Sequence, residues 1–284
     1  MITIKALTGF SLDELFHAFE QAFIDYQVKI NRITFGNMMT RRGFTPDLSY
    51  GAFDDKELVA FTLNGTGTFM GIKTAYDTGT GTIPGYRGRG LAKRIFEYSV
   101  PLLRMAGMKL YLLEVIRHNE KAAALYKKMG FRITRELHYY VHSKKDLQLK
   151  TKILKDGYKL TASKLPLPPQ ASKFEDSVSS WQNSLESIYR CHDHFQLVAV
   201  TYRDRMEGFC IYEPSSGDIS KLAVSGGHRR LGLGTLLLHW AVDHITQDTV
   251  KILNVPWESA DMIAFLKFHG IEPVGSQYEM IREL

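Results

Sequence analysis

Arginines and glycines occur together at two places in the chain, each between a predicted strand and a predicted amphipathic helix. The two groups span residues 87–90 (Arg-Gly-Arg-Gly) and 229–232 (Arg-Arg-Leu-Gly). A strand, a glycine-rich turn and a helix N-terminus together form an anion site, because backbone N–H groups converge there and the helix dipole adds partial positive charge. Glycine lets the backbone approach a ligand, and the guanidinium groups add fixed charge. The pattern therefore predicts a phosphate or pyrophosphate ligand at each place.

Two common phosphate-binding patterns do not fit these turns. Their spacing is not the GxxxxGK[ST] of an NTPase P-loop, and it is not a GxGxxG followed by a βαβ unit with a ribose-binding acid. A turn whose glycines serve only the backbone geometry stays open as an alternative for a single copy.

The strongest organisational signal is an internal repeat. Residues 87–92 recur as residues 229–234, 142 positions later, and two further downstream matches follow at an offset of 140 positions. Three matches in one order and at nearly one offset predict tandem domains. We place the first domain at residues 1–145 and the second at residues 150–284, with the basic stretch around residues 144–150 as the linker.

Each copy has the same predicted order: a helix, a β-hairpin, a strand, the glycine-rich turn, a helix, a strand, a helix and closing strands. The first helix opens with a capping box from Ser11 to Glu14. In the second copy, apolar residues at helical spacing between Phe174 and Ile188 predict the equivalent helix. The strand-rich residues 132–142 are expected to close the first copy. This order predicts an α/β fold.

The two turns and the strands before them resemble the coenzyme A (CoA)-binding motif of the GCN5-related N-acetyltransferase (GNAT) superfamily, Arg/Gln-x-x-Gly-x-Gly/Ala. The resemblance covers most of both halves. It implies two tandem acyl-CoA N-acyltransferase domains, each a mixed, mostly antiparallel twisted sheet flanked by helices. It also implies that the turn amides bind the CoA pyrophosphate and that the preceding strand pairs with the pantetheine arm. The CoA-binding residues expected from it are Thr82, Ile83, Arg87, Gly88, Arg89, Gly90, Leu91, Ala92 and Asn119 in the first copy, and Val224, Arg229, Arg230, Leu231, Gly232, Leu233 and Gly234 in the second.

Residues 119–131 resemble a second motif of the superfamily, Asn-x-x-Ala-x-x-x-Tyr-x-x-x-Gly-Phe, at every marked position. The resemblance implies that Asn119 contacts the pantetheine arm and that Tyr126 is the general acid beside the thioester sulfur. A phenol suits this role because its pKa of about 10 keeps it protonated at neutral pH. The alternative is a core aromatic, since Tyr126 shares a helical face with apolar neighbours.

An acceptor ammonium must lose a proton before it attacks, since a lysine amine has a pKa of about 10.4. Glu114 lies in the apolar run Tyr-Leu-Leu-Glu-Val, where a carboxylate is costly to bury without a partner. Some amine-acetylating relatives use a Glu at this place as general base. A hydrogen-bonded structural carboxylate is the open alternative, and His118 is a weaker candidate.

The second copy departs from the first at each of these positions. Asn254 stands in the place of Glu114, Ser259 in the place of Asn119, and Leu266 in the place of Tyr126. None of these replacements can perform the original proton transfer. We therefore expect the first domain to be catalytic and the second to be a degenerate copy that serves as a CoA-binding scaffold, a lid or a partner surface.

The resemblance implies transfer of an acetyl group from acetyl-CoA to a primary amine of a small molecule or peptide, by direct attack in the N-terminal domain. The acceptor is expected between residues 26–44 and 136–140. Within the first segment, Arg41 and Arg42 are expected to form a solvated face rather than a substrate clamp. The alternative function is a non-catalytic acyl-CoA-binding regulator or sensor.

Composition restricts the partners further. The formal net charge of +6 favours anionic partners, but no recognition-helix signature accompanies it, so we do not expect nucleic-acid binding. No apolar run is long enough to span a bilayer, and the N-terminus lacks a secretory pattern. Cys191 and Cys210 have no metal-ligand spacing, so we expect no metal and a cytoplasmic location. The oligomeric state stays open, with a homodimer as one option.

Overall fold

The computed structural model describes residues 1–26 and 29–284. The chain folds into two compact units. The first unit is Met1–Thr134 together with Glu279–Leu284, and the second unit is Arg135–Tyr278. In space, therefore, the units are not the contiguous segments 1–145 and 150–284.

The sheet of the first unit has the order β1-β2-β3-β4-β5 with the end of β12 at its edge. Its pairs are antiparallel from β1 to β4, and β4 and β5 are parallel. Four helices flank the strands. The strands are β1 (Ile2–Ala6), β2 (Tyr50–Asp54), β3 (Glu57–Phe69), β4 (Ile72–Thr82), β5 (Leu110–Ile116) and β12 (Gly275–Glu283), and the helices are α1 (Leu12–Ala22), α2 (Arg32–Arg42), α3 (Leu91–Met105) and α4 (Glu120–Lys128).

The sheet of the second unit has the order β6-β11-β10-β9-β8-β7, in which only β10 and β11 pair in parallel. Its strands are β6 (Arg132–Ser143), β7 (Tyr158–Ser163), β8 (Gln196–Tyr202), β9 (Arg205–Glu213), β10 (Asp218–Val224) and β11 (Thr249–Pro256), and its helices are α5 (Leu185–Tyr189), α6 (Leu233–His244) and α7 (Ala260–Phe268). Each unit thus repeats a mostly antiparallel sheet with one parallel pair, as the tandem α/β prediction expected.

The closing strands lie elsewhere than the sequence indicated. From Arg135 onward, β6 belongs to the second unit, where Leu137 to Ser143 pair with β11. Tyr140, which is 1% exposed, is part of the hydrophobic core that includes α6. Residues 136–140 are therefore not closing residues of the first copy, because Tyr140 packs in the core of the second unit and the strand from Leu137 onward pairs with β11.

The first helix forms with its predicted cap. The hydroxyl of Ser11 accepts from the backbone N–H of Glu14, and the Glu14 carboxylate accepts from the backbone N–H of Ser11 at 2.8 Å. Phe35 and Met39 on α2 are buried in the same core as Leu15 on α1. Within the predicted acceptor segment 26–44, these two side chains therefore belong to the core. Gln27 and Val28 of the same segment lie outside the described residues.

The expected helix between Phe174 and Ile188 is wrong over most of its length. A short 3₁₀ helix, Pro169–Phe174, is followed by turns, and only α5 is α-helical. Serine side chains here bond to the backbone instead, since the hydroxyls of Ser184 and Ser187 both donate to the carbonyl of Trp181. Such local bonds compete with helix formation.

A bulge at the same place in both copies separates the parallel strands. On β4 the register shifts at Thr78, between the pairs Leu63–Gly79 and Asn64–Asp77. On β10 it shifts at Ser220, 142 positions later. Pairing of β4 with β5 stops at Tyr76, although both strands continue, and β10 meets β11 at one residue pair. Because bulges bend and twist a strand, each unit has a cleft in its sheet at this point.

Candidate functional site

The first glycine-rich turn (residues 82–92, the first cradle) leads from β4 into α3. Gly88 and Gly90 have φ of 78° and 72°, a left-handed conformation that favours glycine. The first helical hydrogen bond at this end is donated by the N–H of Arg94 to Gly90, so the amides of the first turn precede it. A Cβ atom at Gly88 or Gly90 would meet nothing within 4 Å. The first cradle is thus open at the place where a pyrophosphate would bind.

Arg87 holds this turn in place. Its guanidinium donates to the Thr82 carbonyl at 3.2 Å, to the Ala22 carbonyl at 3.0 Å and to the Asp25 carboxylate at 2.5 Å. Arg89 bonds to the Gly85 carbonyl and lies over the Tyr86 ring. Among the other predicted residues, Ile83 and Leu91 are buried in the core. The guanidinium of Arg87 therefore acts first as an anchor between β4 and the end of α1.

The second turn (residues 224–234, the second cradle) repeats this construction. Gly232 has φ of 87°, and Arg230 at φ 61° takes the place of Gly88. Arg229 donates to the Val224 carbonyl at 3.0 Å, as Arg87 does to Thr82. A Cβ at Gly232 would come within 3.0 Å of the Lys152 side chain. The second cradle therefore has a lysine beside it that motif spacing does not indicate.

Most second-cradle residues border one large cavity. Its volume is about 800 Å³, and it extends along the cleft between β10 and β11. The predicted residues on its wall are Val224, Arg229, Arg230, Gly232, Leu233 and Gly234. Leu231 instead packs against the core. Cavities of this size accommodate cofactors.

In the first unit, Tyr126 lies at the cleft between β4 and β5. Its hydroxyl donates to Oδ2 of Asp77 at 3.2 Å, and Thr80 donates to the same oxygen at 2.8 Å. The Gly79 N–H donates to Oδ1 of Asp77. A small cavity of about 10 Å³ touches Ala92 and these side chains. The described cavity at Tyr126 is therefore far smaller than the one in the second unit.

Burial governs protonation in this cluster. It raises the pKa of Asp77 above its ordinary value, against the hydrogen bonds from Thr80 and Tyr126 that lower it. Burial, and then the charge of Asp77, raise the pKa of Tyr126 well above 10. Tyr126 is therefore a protonated phenol at neutral pH, as a general acid requires.

The other two predicted residues of the first copy have structural contacts. Glu114 on β5 is half-buried, and its hydrogen bond and charge both raise the pKa of Tyr76, after the larger effect of burial. The side chain of Asn119 accepts from the Ala122 N–H at 3.2 Å and caps α4. His118 is exposed.

Arg42 lies on the bulge rather than on a solvated face. Its guanidinium donates to the Thr78 carbonyl at 2.7 Å, and it lowers the pKa of Asp77 through its charge. The bulge, the carboxylate and the phenol are thus held as one cluster by α2, β4 and α4.

In the second unit, polar side chains replace this arrangement. Asn254 adopts φ of 59° and donates to the Ser180 hydroxyl at 3.1 Å. Ser259 bonds to Ser177, and Leu266 is buried. The cavity wall also contains Lys221, whose ammonium bonds to Glu175 and Ser179.

Sequence patterns did not indicate Asp77, Lys152 or Lys221. Asp77 directly precedes the bulge at Thr78, and Lys221 directly follows the bulge at Ser220. The sequence signal for both was a charged residue inside an otherwise apolar or hydroxyl-rich strand. Lys152 had no signal, because only folding brings it to Gly232.

Among residues 1–26 and 29–284, no group of three or more His, Cys, Asp and Glu side chains is arranged to hold a metal ion. Over the same described residues, no helix combines the length and apolarity needed to cross a membrane.

A comparison with family models matches the first part of the chain. Residues 12–131 match the model of the acetyltransferase (GNAT) family. Among curated proteins, none matches the chain in sequence.

Several solved structures share the fold. A tandem GNAT protein from the clavulanic acid biosynthesis pathway is 15% identical with a TM-score of 0.74, over 100% of this chain and 98% of that one. A GCN5-related N-acetyltransferase from Sphaerobacter thermophilus is 12% identical with a TM-score of 0.70, over 99% and 95%. A glucosamine N-acetyltransferase region of a fungal multi-domain GH3 β-N-acetylglucosaminidase is 15% identical with a TM-score of 0.75, over 99% of this chain and 38% of that one. The predicted fold class is confirmed.

Proposed function

Because residues 12–131 belong to the acetyltransferase (GNAT) family, whose members use acyl-CoA, we propose that this protein transfers an acetyl group from acetyl-CoA to a primary amine in its first unit. The observation that carries this proposal is the Tyr126 hydroxyl, which lies at the cleft beside Asp77. Acetyl-CoA supplies an activated thioester. The chain must bind it, remove a proton from the acceptor ammonium and protonate the departing sulfur.

The first cradle supports binding. Gly88 and Gly90 leave open space, and the amides at the start of α3 precede its first helical hydrogen bond. Arg87 keeps the turn joined to the end of α1 through the Ala22 carbonyl, and to Asp25 just beyond that helix, so the amides keep one orientation. This is the arrangement that favours a pyrophosphate.

Tyr126 is the proposed acid. Its raised pKa keeps the proton on the phenol, and Asp77 fixes the direction of the hydroxyl. A phenol that is protonated and oriented can give its proton to a thiolate as the carbon–sulfur bond breaks. Glu114, on the neighbouring strand, is the proposed base, acting directly or through water, and Asp77 is a positioning residue that sequence patterns had not indicated.

A second candidate function, acyl-CoA binding without transfer to a free amine, is favoured for the second unit by its cavity. The second cradle borders about 800 Å³ of space, while Leu266 and Asn254 stand where the first unit has Tyr126 and Glu114. Binding needs the cradle, whereas transfer to a free amine needs an acid and a base such as Tyr126 and Glu114, which this unit lacks. This assignment keeps acyl-CoA sensing as a role of the second unit.

Calorimetric titration with acetyl-CoA tests the proposal on the intact chain and on Gly90→Glu and Gly232→Glu. We expect two sites, each lost with its own variant, because a glutamate side chain places bulk and negative charge in each cradle. Release of CoA thiol with a panel of amines should disappear in Gly90→Glu and persist in Gly232→Glu. The absence of binding in folded wild-type protein would exclude acyl transfer, and thiol release that depends on Gly232 alone would move the chemistry to the second unit.

A further inference from the structure

A buried lysine–glutamate pair borders the cavity of the second unit. The Nζ atom of Lys221 donates to the Glu175 carboxylate at 2.5 Å and to the Ser179 hydroxyl at 2.6 Å. The Lys221 side chain is 5% exposed and that of Glu175 is 22% exposed. Lysine is rarely buried to this extent, because removing an ammonium from water is costly. Burial lowers the pKa of Lys221, and the charge of Glu175 opposes this shift.

The pair and the second cradle share one cavity. Leu222 and Val224 pack on the α6 side of the sheet, whereas Ala223, which alternates with them, packs with the core that includes Ala171. Lys221 reaches Glu175, just after the 3₁₀ helix that contains Ala171. The cavity wall includes both sets of residues, so the cleft between β10 and β11 connects the cradle with the lysine.

The direction of a bound acyl-CoA follows from this layout. The pyrophosphate is proposed to lie at the turn after β10, and the pantetheine arm beside Val224. An arm that continues along β10 away from the turn brings its thioester end toward Lys221, three residues or about 10 Å from Val224 along the strand. The lysine amine thus lies in the direction in which the thioester points.

We propose that acyl-CoA bound in the second unit acylates the side chain of Lys221, so that this unit modifies itself. The proposal rests on the proposed function to the extent that the second cradle must bind acyl-CoA. Its substrates are an acyl-CoA thioester and one internal primary amine.

The chemistry balances with the groups present. The Lys221 ammonium gives one proton to Glu175, and the Nζ lone pair forms a bond to the thioester carbonyl carbon. The carbon–sulfur bond breaks and the sulfur leaves with the electron pair. The sulfur takes a second proton from the nitrogen, so that the products are an amide and the CoA thiol. Glu175 then releases its proton to water.

This reaction does not need the groups that the second unit lacks. An amine that is part of the chain needs no acceptor-binding surface. Because this amine is held near the thioester, the reaction does not depend on the diffusion of a free amine to the site. Glu175 supplies the proton acceptor that Asn254 does not. Acylation removes the positive charge of Lys221 and leaves the Glu175 carboxylate without its ion pair, which gives the modified unit a different charge distribution.

The test is peptide mass mapping of the full chain after incubation with acetyl-CoA. Lys267, an exposed lysine on α7, reports the background of direct chemical acetylation in the same sample. We expect Lys221 to be acetylated at least about tenfold faster than Lys267 despite its burial, because proximity accelerates the reaction. Glu175→Gln should slow acetylation at Lys221 and leave Lys267 unchanged. Lys221→Arg keeps the charge and should show no acetyl group at this position.

Gly232→Glu should abolish acetylation of Lys221 and leave acetylation of Lys267 unchanged. Excess CoA, which competes for the cradle in unmodified protein, provides the same test if that variant does not fold. Calorimetry on the same sample separates the two proposals. If acetyl-CoA binds to the second unit but Lys221 is acetylated no faster than Lys267, self-acylation is overturned and acyl-CoA binding stands. No binding to the second unit overturns both for that unit. Acetylation of Lys221 that persists with a blocked cradle also overturns self-acylation.

Discussion

The hydroxyl of Tyr126 donates a hydrogen bond to the carboxylate of Asp77 across 3.2 Å, although the residues are 49 positions apart in the chain. Tyr126 lies on α4 and Asp77 at the bulge of β4, so the contact joins the two sides of the cleft. The carboxylate accepts from Thr80 and from the Gly79 N–H as well. The orientation of the proposed acid is therefore set by a strand irregularity.

Removal of the phenolic proton should slow transfer and leave binding intact. For Tyr126→Phe we expect the rate of CoA thiol release to fall about 10²-fold or more, since general acids typically contribute that much. The acetyl-CoA affinity measured by calorimetry should change little. Tyr98→Phe, at a half-exposed ring on α3, is the matched control and should retain activity. Equal losses in both variants would show that Tyr126 supports packing rather than proton transfer.

Asp77 should produce an acid limb in the pH profile. Its pKa lies above the ordinary 3.8 because of burial, so the carboxylate that orients Tyr126 forms only as the pH rises through that raised value. We expect kcat/KM to fall more steeply at acid pH in the wild type than in Asp77→Asn, which should keep only the rise with pH that comes from deprotonation of the acceptor ammonium. The pKa of Tyr126 is well above 10, so its proton is retained on the alkaline side up to about pH 10. Glu97→Gln, on an exposed position of α3, should keep the wild-type profile.

The two arginines of the second cradle should have different roles. Arg229 donates to the carbonyls of Val224 and Phe174 and pairs with Asp176. Arg229→Gln should therefore lower the free energy of unfolding by roughly 1–3 kcal/mol in urea titrations. The Arg230 side chain is 82% exposed, and its guanidinium lies 3.6 Å from the Asp261 carboxylate. Arg230→Gln should therefore change the free energy of unfolding by less than about 0.5 kcal/mol. Similar effects of both changes would contradict an anchoring role for Arg229.

His269 should make the stability of the protein sensitive to acid. Its Nδ1 accepts from the Lys150 N–H at 3.1 Å, and its Nε2 lies 3.2 Å from the Thr235 hydroxyl. Burial, followed by the nearby charges of His239 and Lys150, lowers its pKa from 6.5 to about 4. The folded state therefore prefers the neutral ring, and this contribution is complete above pH 6.5 and is lost as the pH falls toward 4.

Urea unfolding at several pH values measures this effect. Between about pH 6.5 and 4, the wild-type free energy of unfolding should fall by up to about 3 kcal/mol more than that of His269→Gln, whose amide does not titrate. The amide can accept from Lys150 and donate to Thr235, so the variant should fold. Parallel curves for the two proteins would assign the acid sensitivity to other groups.

Local patterns were enough to identify the fold class and the two cradles. Left-handed glycines, a helix start and an arginine lie within a dozen residues of one another, and the helical spacing placed Tyr126 on α4, so short-range geometry determines these features. The capping box at Ser11 is local in the same sense. The repeat of motifs predicted a second copy, and the mostly antiparallel sheet of the second unit follows from it.

Pairings between distant segments were decided only by the tertiary structure. The alternation of residues 132–142 predicts a strand but not its neighbour, and ladder bonds to β11 place most of it in the second unit. Arg87 and Arg229 have the charge of ligand-binding residues, yet their partners, Asp25 and Asp176, are distant in sequence. The contacts of Asp77 with Tyr126 and of Lys221 with Glu175 likewise depend on strand bulges. Residue spacing predicts helices and turns because these form within a few residues. The burial of a side chain and its hydrogen-bond or strand partner are decided only when the whole core packs.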